Sequence, residues 1–343
     1  MKTIVAHGAH DLRIEDREMP VPGPGQVLVR LETGGICGSD LHYYHKGGFG
    51  TVRLKEPMIL GHEVAGQIEA LGAGVSGLAE GLRVAVSPSR PCHACRFCHA
   101  GQPNHCLNMR FYGSAMPFPH IQGAFREYLV ADVAQCAPAG ELSAGEAAMA
   151  EPLSVVLHAA RRAGDLLGKR VLVTGCGPIG MLAVLVARAA GAVEIVATDL
   201  TDFTLDMAAR LGADRVVNMG KHPEGLAPLA AEKGQIDVLF ECSGAAPALV
   251  SAIPAMRPGG VILQLGLGGD MTLPVQAITA KELELRGSFR FHEEFFAAVE
   301  LMRKGRIDVK PLITHEVTLE KAEEGFKLAS DRSKAMKAQI RFS

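Results

Sequence analysis

Apolar and polar residues alternate along the first third of the chain. Thr3 to Ala6, Leu12 to Glu15 and Val27 to Thr33 each carry the short, β-rich pattern of a half-buried strand. The breaker-dense run PVPGPG at Pro20 to Gly25 separates the second from the third. Val64 to Leu71 and Arg83 to Val86 continue the series, with turns at Gly72, Gly74, Gly77 and Gly81, and Phe125 to Val130 adds a further strand. Short strands so spaced predict a small barrel-like β unit. Ser143 with Glu146 forms a capping box that opens a helix, and another helix begins at Glu151 and Pro152.

From Lys169 the pattern changes to apolar strands spaced by helices. Strands are expected at Arg170 to Thr174, Glu194 to Thr198, Val216 to Asn218, Val238 to Glu241, Val261 to Leu265 and Glu284 to Ser288. This alternation predicts a doubly wound parallel sheet, an α/β fold. Helices at Glu293 to Lys304 and Leu319 to Ser330 precede a last strand, Lys337 to Phe342, that returns to the first unit. The expected division is therefore residues 1–152, 153–289 and 290–343, the third segment completing the first.

A chain of 343 residues exceeds what one core serves, which agrees with two domains. Hydrophobic content of 48% with 21% charged residues is that of a soluble globular protein. The net charge of −2 gives no electrostatic case for nucleic acid or an anionic membrane as partner. No signal-peptide core follows Met1 and Lys2, and the most apolar run, Met181 to Ala187, stops at Arg188. A cytoplasmic location is expected, where eight cysteines serve metal binding or burial rather than disulfides.

Four of those cysteines, Cys92, Cys95, Cys98 and Cys106, form C-x2-C-x2-C-x7-C. One loop can wrap such sulfurs around a single zinc at about 2.3 Å and close its shell; the competing readings are chance clustering and an iron–sulfur cluster. Cys37, His62 and Glu63 offer a thiolate, an imidazole and a carboxylate, which suit a zinc with an open position for chemistry. Ser39, Asp40, His42 and Tyr43 lie between them, a polar run able to carry a proton to solvent. Taken alone, Cys37 and His62 would equally suit a buried thiol and a core histidine. Glu151 alone would suit a favourable charge at a helix N-terminus.

The strand Arg170 to Thr174 leads into GCGPIG, which is Gly175, Cys176, Gly177, Pro178, Ile179 and Gly180, and then into a helix from Gly177 to Ala190. That context is the dinucleotide fingerprint, with Gly175 for the turn, Gly177 for approach of the pyrophosphate and Gly180 for helix packing. Asp199, nineteen residues after Gly180, ends the second strand and can accept hydrogen bonds from the adenosine ribose. It would repel a 2′-phosphate, Asp202 adds negative charge, and Leu200 to Thr204 contains no basic residue, so NAD is expected over NADP. Carboxyl ends of the later strands place Ser243, Leu265, Gly266, Leu267, Ser288, Phe289 and Arg290 beside the cofactor.

These motifs in this order, GGICGSDLHYY, GHE, the four-cysteine lobe, AEPLSVVLHA and GCGPIG, resemble the zinc-dependent medium-chain dehydrogenases over almost the whole chain. The resemblance implies a GroES-like β-rich catalytic domain built from both ends of the chain and a Rossmann domain between them. It implies two zincs per chain, Cys37 and His62 as catalytic ligands, and Ser39 and His42 as the proton relay. Glu151 stands where the alcohol dehydrogenases proper carry a third ligand cysteine, a departure similar to the polyol (sorbitol-type) branch. Either Glu63 or Glu151 would then complete the site. HYYHKG, MRFYGSAMPFPH and GSFRF narrow the resemblance toward a sugar acid substrate, with a neutral polyol as the alternative. For the acid's carboxylate the first choice is Arg290, with Arg110 and His120 in reserve, and Tyr43 is a candidate for a sugar hydroxyl. Relatives imply a homo-oligomer, a tetramer. A non-catalytic cofactor-sensing protein is the competing class, against which Cys37, Ser39, His62 and Glu63 all argue.

Overall fold

The computed structural model describes residues 1–342. Two compact units emerge: Met1–Glu151 with His292–Asp331 and the chain from Lys337 onward, and Pro152–Phe291 with Arg332–Met336. The short return of Arg332–Met336 to the second unit was not legible in the sequence, because nothing in its pattern separates it from its neighbours.

In chain order, β1 (Lys2–Gly8) and β2 (Asp11–Asp16) form a hairpin, and β3 (Gln26–Gly35) leads into α1 (Gly38–Lys46). Then come β4 (Glu63–Leu71), β5 (Arg83–Val86), β6 (Tyr128–Asp132), β7 (Cys136–Pro138), α2 (Ala144–Ala148) and α3 (Ala150–Ala163). The second unit holds β8 (Arg170–Thr174), α4 (Pro178–Ala189), β9 (Glu194–Asp199), α5 (Asp202–Arg210) and β10 (Arg215–Asn218). It continues through β11 (Ile236–Glu241), β12 (Met256–Gln264) and β13 (Glu284–Gly287). The chain then returns through α6 (Glu294–Arg303), β14 (Ile313–Thr318), α7 (Ala322–Ser330) and β15 (Lys337–Arg341).

The first unit is a mostly antiparallel sheet in the order β7-β5-β4-β3-β15-β14, with β6 also on β3. Its core gathers Ile4, Val29, Leu31, Ile68, Phe125, Phe326 and Ile340, so residues from both chain ends share one interior. The strand expected from Phe125 starts at Tyr128 instead. Phe125 is fully buried, and its ring explains a glycine: a Cβ on Gly61, which has φ +89°, would sit 2.1 Å from that ring. The turn ahead of His62 thus requires glycine both for its backbone and for its neighbour. The polar run after Cys37 forms helix α1, which its two aromatic residues and missing apolar stripe had concealed.

The second unit is a six-stranded parallel sheet in the order β10-β9-β8-β11-β12-β13. Val171, Leu172, Val173, Ile195, Val196, Leu239 and Phe240 are all fully buried, as a sheet covered on both faces demands. The order runs outward in both directions from the β8–β11 pair, which makes that pair the topological switch point.

Candidate active site

Cys37 is the N-cap of α1, and the third helical residue, Asp40, reaches back to it. The Asp40 carboxylate is fully buried and accepts the Cys37 N–H at 2.9 Å and the Gly61 N–H at 3.0 Å. One side chain therefore fixes the segment carrying the thiol and the segment carrying the imidazole. Cys37 Sγ, a ring nitrogen of His62 and a carboxylate oxygen of Glu63 all lie within 4.8 Å of one another. His62 and Glu63 are buried while Cys37 is half-buried, so the group opens on the thiol side.

These residues suit a metal ion. His62 Nδ1 is buried without a hydrogen-bond partner, and Asp40 Oδ1 is 3.8 Å away. Burial by itself lowers the His62 pKa, yet Asp40, Cys37 and Glu151 raise it well above the ordinary value. The site is thus built to hold positive charge among donors of three chemical types. Glu63, rather than Glu151, is the carboxylate that stands with Cys37 and His62. Glu151 is 5% exposed in the first turn of α3, and burial pushes its carboxyl up to about 7.

Behind Glu63 lies a feature the sequence concealed. Lys337 Nζ donates to both Glu63 oxygens, at 2.7 and 2.9 Å, with the two side chains 2% and 1% exposed. Burial would lower the Lys337 pKa, and the charges of Glu63 and Cys37 hold it above the ordinary value instead. No local pattern announces this pair, since 274 residues separate its members. Asp40 left a fainter signal, an acid three residues after Cys37, the spacing of a capping box.

Ser39 and His42 lie on α1 three residues apart, the spacing that places side chains on one face. The His42 ring packs against Phe49 at 4.8 Å, and burial, then Lys46 and His45, pushes its pKa below the ordinary value. Three expected substrate contacts have other partners in the structure. Tyr43 is 5% exposed and its hydroxyl accepts the Ala115 N–H, so it is a core residue. His120 Nε2 accepts the Lys55 N–H and its Nδ1 faces the Pro117 carbonyl, so both ring nitrogens serve the loop. Arg110 and Phe111 form a two-residue ladder with Ser89 and Arg90. The Phe111 ring lies 5.6 Å from that of His62, and alternation along a strand then turns Arg110 to the opposite face.

The four-cysteine lobe brings Cys92, Cys95, Cys98 and Cys106 into one group, with Cys95 Sγ 3.6 Å from Cys98 Sγ and 4.0 Å from Cys106 Sγ. A tetrahedron of sulfurs at the usual zinc–sulfur distance has edges of about 3.8 Å. Cys106 Sγ also accepts the Cys92 and Asn108 backbone N–H groups, as thiolates in such sites do. His93, His99 and His105 stand outside the group.

In the second unit Gly175 adopts φ +83° and a Cβ on Gly180 would sit 1.9 Å from the Gly175 carbonyl oxygen. Gly177 is the N-cap of α4 with open space where a side chain would project, and Pro178 and Ile179 begin the helix. Asp199 accepts the Cys176 N–H at 2.6 Å and the Leu200 and Thr201 N–H groups, which pins it beside the glycine turn. Asp202 is not uncompensated, because Lys221 from the loop after β10 donates to it at 2.5 Å. Ser243, Leu265, Gly266, Leu267 and Ser288 follow the carboxyl ends of β11, β12 and β13. Phe289 stacks on the guanidinium of Arg290, 4.9 Å from its ring centre, and Arg290 has φ +57°.

Residues 23–141 match the alcohol dehydrogenase GroES-like domain and residues 178–304 the zinc-binding dehydrogenase domain. The chain belongs to the zinc-binding dehydrogenase family. Within that family, the L-idonate 5-dehydrogenase (NAD(P)(+)) of Escherichia coli K12 is 42% identical over 318 residues, 92% of each chain. The crystal structure of the enzyme from that species aligns with a TM-score of 0.95 at 40% identity, covering 99% of this chain and 98% of that one. Human sorbitol dehydrogenase is 39% identical over 331 residues, 94% of this chain and 91% of that protein. A dehydrogenase of E. coli CFT073 described as a short chain alcohol dehydrogenase, solved with NADH, aligns at a TM-score of 0.89 with 30% identity, covering 100% of this chain and 99% of that one. The GroES-like and Rossmann domains of a zinc-binding dehydrogenase are therefore the two units described above. No helix among the described residues is long and apolar enough to cross a membrane.

Proposed function

We propose that this zinc-binding dehydrogenase oxidises a secondary alcohol of a six-carbon sugar acid, interconverting L-idonate and 5-keto-D-gluconate with NAD. The observation that carries the chemistry is the meeting of Cys37 Sγ, a His62 ring nitrogen and a Glu63 oxygen within 4.8 Å of one another, and the substrate follows the L-idonate enzyme, 42% identical over 92% of both chains. One zinc would be held there and a second by Cys92, Cys95, Cys98 and Cys106. When bound, the first zinc would supply a Lewis acid at the substrate oxygen and the nicotinamide a hydride acceptor.

The chain's own residues supply the rest. Ser39 can accept the hydroxyl proton and donate its own, and His42, held neutral by burial, takes it toward solvent. Asp40 keeps both ligand-bearing segments in place. With Arg110 turned away and His120 engaged, Arg290 is our carboxylate partner, its planar fork suited to two parallel hydrogen bonds. Asp199 favours NAD, while Lys221 nearby softens the exclusion of NADP. We take the working form to be a homotetramer, which sedimentation would check.

The alternative is a neutral polyol such as sorbitol or xylitol, favoured by the 39% identity to human sorbitol dehydrogenase. Initial rates with L-idonate, sorbitol and xylitol, each with NAD and NADP, separate the readings. A higher kcat/KM for sorbitol than for L-idonate rejects the sugar acid, and NADP matching NAD rejects the cofactor preference.

A further inference from the structure

Glu241 ends β11 at the topological switch point, is fully buried, and has no part in the chemistry assigned so far. Its Oε1 accepts the Ser243 N–H at 2.9 Å, the Ser243 hydroxyl, the Gly244 N–H at 3.2 Å and the Thr174 hydroxyl at 3.4 Å. Its Oε2 accepts the Gly244 N–H at 3.1 Å and the Gln264 side-chain N–H at 2.6 Å. Both oxygens are thus engaged by groups that donate, among them amides that can only donate, which is the pattern of a carboxylate anion. Every one of these partners is neutral. A buried anion is ordinarily paired with a cation, and here its hydrogen-bond partners among the described residues are dipoles.

The donors come from three places. Thr174 closes β8, Ser243 and Gly244 begin the loop after β11, and Gln264 closes β12. The same loops press on one another: a Cβ on Gly266 would lie 2.0 Å from the Gly244 nitrogen and 2.8 Å from Glu241 Oε2. In a doubly wound sheet one half, here β8 to β10 with Asp199, takes the adenosine, and the other half, β11 to β13, takes the second nucleotide. Glu241 therefore lies under the loops of the nicotinamide half.

We propose that the Glu241 carboxylate organises the nicotinamide half of the cofactor crevice and biases it toward the oxidised, cationic ring over the reduced, neutral one. The inference rests on the NAD reading above. A fixed negative charge in a low-dielectric site attracts a nicotinamide that carries a positive charge and is indifferent to one that does not. The hydrogen bonds set the loops, and the charge sets the preference between redox forms.

The test is calorimetric binding of NAD+ and NADH to wild type, Glu241→Gln and Glu241→Asp, with no turnover involved. Gln is nearly isosteric and removes the charge, so its NAD+ Kd should rise about tenfold more than its NADH Kd. Asp keeps the charge one methylene shorter; both affinities should weaken while their ratio stays at the wild-type value. Equal weakening of both forms in the Gln variant, or an altered ratio in the Asp variant, overturns the proposal, and Glu241→Ala, which also removes the charge, is read in the same way if the Gln variant does not fold. Wild-type protein that binds neither form defeats the NAD reading itself, whereas wild-type binding unaltered by Glu241→Gln defeats only the role of Glu241.

Discussion

Replacing Lys337 by methionine removes one charge from a pair that water does not reach. The ammonium lies 2.7 and 2.9 Å from the two Glu63 oxygens and 3.4 Å from the Ile36 carbonyl. With the side chains 2% and 1% exposed, the carboxylate left behind has no solvent to turn to. It cannot retreat toward β3 either, because the space a Cβ on Gly35 would occupy lies 2.2 Å from Glu63 Oε2. Breaking one side of a buried ion pair costs about 3–5 kcal/mol, most of it the penalty of an unpaired buried charge. Methionine has nearly the length and volume of the lysine stem, so little of the loss arises from a cavity. Urea unfolding followed by far-UV circular dichroism, on wild type, Lys337→Met, Glu63→Gln and the double variant, each stripped of metal so that no bound ion replaces the lost cation at Glu63, measures both the loss and the coupling. The double variant should be more stable than the sum of the single losses predicts, by about 1–3 kcal/mol, since neutralising Glu63 removes the orphaned charge. A Lys337→Met protein within about 1 kcal/mol of wild type, or additive losses in the cycle, would refute the reasoning.

Three further outcomes are expected. Elemental analysis of purified protein should approach two zincs per chain; Cys95→Ser should lose one zinc and thermal stability, whereas Cys37→Ser should keep the fold and lose turnover, and a fully active protein with one zinc contradicts the two-site assignment. Arg290→Leu should weaken kcat/KM for L-idonate by about 1.5–3 kcal/mol and for sorbitol much less, and equal losses would show that Arg290 does not bind the carboxylate. His42 accepts a proton only when neutral, so activity in the oxidising direction should fall on the acid side of its lowered pKa, below the ordinary 6.5. That limb of the pH profile should shift in His42→Ala, and an unmoved limb places the relay elsewhere.

The sequence by itself determined the architecture and most of the chemistry that local spacing can encode. Apolar runs of five or six residues ending in glycine-rich turns specify a parallel sheet, because strands buried on both faces must be apolar throughout. The spacing of Cys92, Cys95, Cys98 and Cys106 brings four thiols into one group, because so short a loop keeps its sulfurs close together. Only the tertiary structure decided what depends on distant segments or on direction. Lys337 met Glu63 because β15 crosses beside β3, a pairing made by the whole sheet and by no motif. Tyr43, Arg110 and His120 each looked available in the sequence, and burial, strand alternation and two loop hydrogen bonds give them other surroundings in the fold. Lys221 lies outside the stretch from which Asp202 appeared uncompensated, yet the loop after β10 brings the two together. A side chain's chemistry is written in its residue type, but its partner and the direction it points are properties of the packed chain.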